Sequence, residues 1–157
     1  MLSFFYKIKG KKKQVFTYLD TKGEYYQFEP KTEIRFIAKI ADNEGNEIVP
    51  SYIIFRITRP TVRFNWFGRK KYDNLVIQMY DPIVPSATQG IDYFIRDKKE
   101  WNIYIRILGP VADSVEEWEI RNAKLIYFEP SQMDWRKTGN PATVTLKFKI
   151  SDVELIY

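Results

Sequence analysis

Apolar and polar residues alternate with a period of two along most of the chain, the spacing of strands that bury one face. Phe4, Tyr6 and Ile8 alternate until Gly10, and Gln14-Val15-Phe16-Thr17-Tyr18-Leu19 resumes the pattern. Asp20-Thr21-Lys22-Gly23 reads as a turn before Glu24-Tyr25-Tyr26-Gln27-Phe28, which runs into Pro30. Ile34, Phe36, Ala38 and Ile40 alternate strictly up to the turn signal Asp42-Asn43-Glu44-Gly45-Asn46. Tyr52-Ile53-Ile54-Phe55-Arg56-Ile57 is apolar on both faces, which predicts a central strand or one covered by a partner. Val62, Phe64 and Trp66 alternate ahead of the polar loop Gly68-Arg69-Lys70-Lys71-Tyr72-Asp73-Asn74. Leu75, Ile77 and Met79 then make a strand that stops at Asp81-Pro82.

After Pro85-Ser86 the period changes. Apolar residues fall at Ala87, Ile91, Phe94 and Ile95, the stripe of one helix face. Ser86 can cap the start, and Lys98 and Lys99 suit the negative end of the helix dipole. Gly90 costs about 1 kcal/mol relative to alanine in that position. The pattern predicts one helix over about residues 86–98, packed on a sheet as a lid. Strands then return at Trp101, Ile103, Ile105 and Ile107, at residues 115–120, and at residues 125–128 before Pro130. Val144, Leu146, Phe148 and Ile150 alternate on even numbers, Val153, Leu155 and Tyr157 on odd ones. That change of phase predicts a bulge or bend in one long final strand. The expected architecture is mainly β: an antiparallel two-sheet sandwich or barrel with one α-helix, in a single domain over residues 1–157.

Composition narrows the chemistry. The 157 residues include no cysteine and no histidine, which removes thiolate nucleophiles, Ser-His-Asp triads, zinc ribbons and haem ligation by histidine. Paired carboxylates would remain open to a hydrolase. The one dense acid cluster is Glu116-Glu117-x-Glu119, in a stretch that reads as strand. Adjacent strand residues point to opposite faces, so Glu117 and Glu119 share a face without Glu116. Two acids on one strand face read as solvated surface, and the chain is expected to be no enzyme and to use no cofactor or metal. No apolar run reaches the ~18 residues of a membrane span. The start Met1-Leu2-Ser3-Phe4-Phe5-Tyr6-Lys7 lacks the parts of a signal peptide, so synthesis in the cytosol is expected.

Charge adds a direction. The net charge is +5 with a pI near 9.2. Residues 1–80 carry 15 Lys+Arg against 8 Asp+Glu, whereas residues 81–157 carry 10 against 12. A basic half and a mildly acidic half allow either nucleic-acid binding or association of copies through unlike patches. The run Lys7-Ile8-Lys9-Gly10-Lys11-Lys12-Lys13 reads either as a hairpin turn whose lysines protect an edge strand or as a partner contact.

From Leu75 onward the order of elements resembles a known family. A strand ends in Met79-Tyr80-Asp81-Pro82, a short helix follows, and Trp101-Asn102-Ile103-Tyr104-Ile105-Arg106-Ile107-Leu108-Gly109-Pro110 comes next. Val115-Glu116-Glu117-Trp118-Glu119-Ile120-Arg121-Asn122-Ala123 leads through a variable segment to the closing strands. This resembles the tail tube proteins of contractile-tailed bacteriophages over residues 75–157. The resemblance implies subunits that close into six-membered rings, pool strands into an inner barrel, and stack head to tail. Sheath and baseplate proteins would be the partners and DNA the passing cargo, in a virion tail and with no membrane contact. Baseplate tube-initiator and tube-terminator rings belong to the same implication. The family's lumen is described as acidic, so the basic residues here would lie at ring contacts or outside, or mark a specialised tail component. The candidate assembly contacts are Lys11, Lys12, Lys13, Tyr52, Ile54, Trp66 and Phe67. A β-barrel that binds nucleic acid through the lysine hairpin and Tyr25, Tyr26, Trp66 and Phe67 is the alternative from another class.

Overall fold

Alternating β-branched and aromatic residues favour a pleated, half-buried surface, and strands dominate the computed structural model. It describes residues 5–8, 11–14, 33–96, 100–136 and 139–156. The chain divides into two units, residues 1–30 and 31–157. In the first, β1 (Phe5–Ile8) and β2 (Lys11–Gln14) pair antiparallel from Phe5 opposite Gln14 to Ile8 opposite Lys11. Lys11, Lys12 and Lys13 therefore lie in a strand, not in the turn. The strands and turn expected over residues 15–32 lie outside the described residues, as do Tyr25 and Tyr26.

The second unit is built on one path of strands, ordered β4-β3-β9-β10-β11-β8-β5, with β12 added to β10. The strands are β3 (Phe36–Ala41), β4 (Glu47–Val49), β5 (Ile54–Ile57), β8 (Leu75–Tyr80), β9 (Trp101–Leu108), β10 (Ser114–Pro130), β11 (Thr143–Lys149) and β12 (Asp152–Leu155). Between β5 and β8 a separate hairpin forms from β6 (Val62–Phe64) and β7 (Lys70–Tyr72). All of these pairings are antiparallel.

β10 makes the path into two layers. Its first part pairs with β9 and β12, and its second part pairs with β11. Between them the register shifts from Ile120 to Ala123, and Asn122 takes φ +51°, a conformation asparagine tolerates better than most residues. The strand thus leaves a first sheet (β4-β3-β9-β10-β12) and enters a second (β10-β11-β8-β5). Ile103, Ile105 and Ile120 from the first meet Ile77, Leu146 and Phe148 from the second in one buried core. The Trp101 and Phe148 rings meet there at 5.5 Å between centroids.

Three expectations change. Residues 115–120 and 125–128 are one strand of 17 residues, because a bulge re-aims the chain without ending it. The final strand is two, β11 and β12, because the bend after Lys149 lets each pair with a different part of β10. Residues 52–57 form no central strand. Ser51–Ile53 is a single 3-10 turn, and β5 lies at the end of the strand order. Its apolar run is explained by geometry. The change from turn to strand lets Ile53 and Ile54 both enter the core, and a bulge between Ile54 and Arg56 leaves Phe55 outside.

The helix α1 (Ala87–Arg96) forms as the spacing predicts, with Ala87 and Ile91 buried and Phe94 5.6 Å from Trp101. It lies against β4, close enough that a Cβ on Gly90 would sit 3.5 Å from the Ile48 carbonyl. Ser86 Oγ accepts from the Gln89 amide at 3.3 Å. The larger cap is Asp81, which accepts from the Thr88 amide at 3.2 Å, the Thr88 hydroxyl and the Ser86 hydroxyl. Burial acts to raise the Asp81 carboxyl, but these hydrogen bonds outweigh it and hold the group below its usual range. Lys98 and Lys99 lie outside the described residues.

Candidate assembly surfaces

The register of the second sheet places its loops at two opposite ends. β5 ends and β8 begins at the end where Leu75 pairs with Phe148, and the β6-β7 hairpin emerges there. Asn65 shapes its turn by accepting the Phe67 and Arg69 amides at 3.1 and 2.8 Å. Glycine at 68 takes φ +71°, which most side chains resist. The result presents Phe64, Trp66 and Phe67 to solvent, Trp66 with 95% of its surface free. At the other end, where Thr143 pairs with Tyr80, the loops carry exposed Ile83, Val84, Met133 and Trp135, and Tyr52 lies just before β5. Large apolar groups exposed in clusters mark interaction surfaces far more than single ones do.

The two sheets also differ on their outer faces. On the first, Arg106 meets Glu117 at 3.1 Å, and Arg121 meets Glu119 at 2.6 Å and Glu154 at 3.1 Å. The hydrogen bond and charge of Glu119, aided by Glu154, raise the Arg121 pKa further. Glu117 and Glu119 do share a face. Glu116 points inward, where it accepts the Trp118 indole N–H and lies 3.6 Å from Arg59. The acids of the cluster thus pair with neighbouring arginines, and Glu116 also accepts an indole N–H. Among the described residues, no group of three or more metal-ligating side chains is placed to hold an ion.

The second sheet's outer face is cationic. Lys124 lies directly opposite Lys149, and Lys147 sits over the Tyr127 ring at 4.5 Å. Arg56 donates to Gln78 at 3.4 Å, and Gln78 donates to Thr145 at 3.5 Å. Glu129 is the acid on this part of β10, and its hydrogen bond with Tyr127 raises the phenol's pKa.

The structure separates the residues singled out from sequence. Tyr52, Trp66 and Phe67 are exposed, at opposite ends of the second sheet. Ile54 is only 6% exposed and belongs to the core, so its side chain offers a partner nothing in this conformation. Lys11, Lys12 and Lys13 lie on β2 in the first unit. Sequence reading passed over Trp135, Ile83 and Val84, which stand in loops between strands. The signal was available: large apolar residues flanked by Pro82, Pro85 and Asp134 cannot continue a strand.

No family model and no curated protein matches this sequence. Solved structures do match its fold. A chain of the anti-feeding prophage baseplate, solved with 6-fold symmetry, superposes with TM-score 0.58 at 15% identity, over 82% of this chain and 96% of that one. A chain of the PVC sheath-tube complex, an extracellular contractile injection system, gives 0.60 at 11% identity, over 86% and 97%. Hcp1 of E. coli EAEC 042 gives 0.58 at 9% identity, over 79% and 92%. The two-sheet fold with helix α1 is therefore similar to the fold of chains in these tube and baseplate assemblies.

Proposed function

We propose that this chain is a structural subunit of a contractile-tail tube, closing into rings of six that stack head to tail. The observation that carries the reading is the pair of apolar ends on the second sheet. The hairpin with Phe64, Trp66 and Phe67 lies at one end, and Tyr52, Ile83, Val84 and Trp135 lie at the other. Two different sticky ends make a head-to-tail contact that repeats without closing, the geometry of a filament. The shared fold with sheath-tube and baseplate chains supports the same reading. In it, sheath and baseplate proteins are the partners, a phage-like tail is the location, DNA is the cargo, and no catalysis is performed. Tube-initiator and tube-terminator rings are the nearest variants.

Light scattering and electron microscopy of the purified chain test this. Rings or short tubes should form as concentration rises, and Trp66→Ser with Phe67→Ser should leave a folded subunit that no longer stacks. A strict monomer at high concentration, alone and with baseplate components, overturns the reading. The hairpin also carries Arg69, Lys70 and Lys71 beside its aromatics, which favours the nucleic-acid alternative. Tight DNA binding at physiological salt, with no assembly, would select that alternative.

A further inference from the structure

The β6-β7 hairpin changes character from its tip to its base. Trp66 and Phe67 stand in the turn with their rings exposed. The rung behind them pairs Phe64 with Lys70, and the next pairs Arg63 with Lys71. Successive residues on a strand are about 3.4 Å apart, so the surface passes from aromatic to cationic within about 7 Å. Arg63 is held by Asp73 at 2.9 Å, whereas Arg69, Lys70 and Lys71 pair with no carboxylate among the described residues. An apolar tip thus sits above a collar of unbalanced positive charge. The turn also satisfies its own backbone. The Asn65 side chain accepts the Phe67 and Arg69 amides, and the Asn65 carbonyl accepts the Gly68 amide at 2.9 Å. The Asn65 amide donates to the Arg69 carbonyl at 3.1 Å. An amide that is already paired loses little on leaving water.

We infer that the tip of this hairpin inserts into the interface of an anionic lipid bilayer. Trp66, Phe67 and Phe64 enter at the boundary of headgroups and acyl chains, where large rings gain by leaving water. Arg69, Lys70 and Lys71 then stand at the level of the lipid phosphates, which supply the counter-charge that the hairpin lacks. An interfacial segment buries its apolar side about 5–10 Å deep, the distance over which this hairpin turns cationic. Below the headgroups lipid offers a backbone no hydrogen bonds, and a turn that pairs its own amides needs none. A single nucleic-acid strand would also meet rings and cations. Its phosphates recruit backbone amides as donors, and the tip amides are already taken up by Asn65. The contact lies on the bilayer and requires no spanning segment. It departs from the lack of membrane contact that the family resemblance implies. The inference goes beyond the tube reading and does not require it. A stacked ring would cover these residues, whereas a subunit without a neighbour at that end presents them.

Flotation of the full chain with lipid vesicles tests the site, at a concentration where light scattering shows dispersed subunits. Vesicles of phosphatidylcholine and phosphatidylglycerol in equal parts should carry the chain. Phosphatidylcholine alone should bind at least about tenfold more weakly, because three basic residues lose their counter-charge. Arg69→Ser with Lys70→Ser and Lys71→Ser should weaken binding to the anionic vesicles by at least about tenfold. Trp66→Ser with Phe67→Ser should do the same, with no change in melting temperature. Acyl chains brominated near the headgroup should quench tryptophan emission, and Trp66→Phe should abolish that quenching while binding persists. No binding to the anionic vesicles, unchanged binding in either multiple variant, or quenching that survives Trp66→Phe would each overturn the site. So would preference for a single-stranded oligonucleotide over the vesicles in direct competition. Rings that form although vesicle binding fails would overturn this inference and leave the tube reading, and vesicle binding without rings would do the reverse.

Discussion

The two sheets share an interior and differ outside. The first sheet's outer face balances its charges within itself through Arg106, Glu117, Arg121, Glu119 and Glu154. The second leaves Lys124 facing Lys149 and ends in loops of exposed aromatics. A surface that meets only water gains by neutralising itself. One that meets partners keeps charge and apolar area in reserve, at some cost to the isolated subunit. In the proposed tube subunit, the difference makes the second sheet the better candidate for assembly contacts.

The strongest test of the shared interior is Phe148→Ala, which removes a fully buried ring beside Trp101 and should cost about 3–5 kcal/mol. Ile103→Ala on the opposite sheet should cost about 2–5 kcal/mol. Chemical denaturation should show one transition in each variant. Separate transitions for the two would break the picture of one core beneath two sheets.

A smaller effect is expected where the chain leaves the second sheet for the helix that lies against the first. Asp81→Ala removes the principal helix cap and should cost about 1 kcal/mol at neutral pH. The carboxyl is held below its ordinary value in the folded state, so its contribution is present above the unfolded pKa near 3.9. It is lost as pH falls through the lower, folded value. Wild type and variant should therefore converge in stability as pH is lowered below about 4, read from thermal melts. A constant gap through the acid range would remove the charge from the account.

The smallest effect sharpens the contrast between faces. Lys149→Glu places an acid opposite Lys124 and should stabilise the isolated subunit by about 0.2–1 kcal/mol, more at low salt. No gain in melting temperature would mean that the lysine pair carries no strain for a partner to relieve.

Sequence alone determined the class of this protein. Period-two alternation marks a residue's face wherever a strand has one wet side, and it placed Ile103, Ile105, Leu146 and Phe148 in the core. The 3.6-residue period isolated α1 for the same reason. The absence of histidine and cysteine closed several catalytic chemistries before any geometry was known. What sequence did not disclose were relations between distant segments. Periodicity is blind to pairing, so residues 52–57 could be central or edge, and only the strand order put β5 at an end. A bulge interrupts the period just as a loop does, which made one strand of β10 look like two and two closing strands look like one. Lys124 and Lys149 are 25 residues apart in the chain and become neighbours only through the β10-β11 register. Burial leaves a local trace along the chain, whereas edges, facing charges and the two ends of a sheet exist only once strands have chosen their partners.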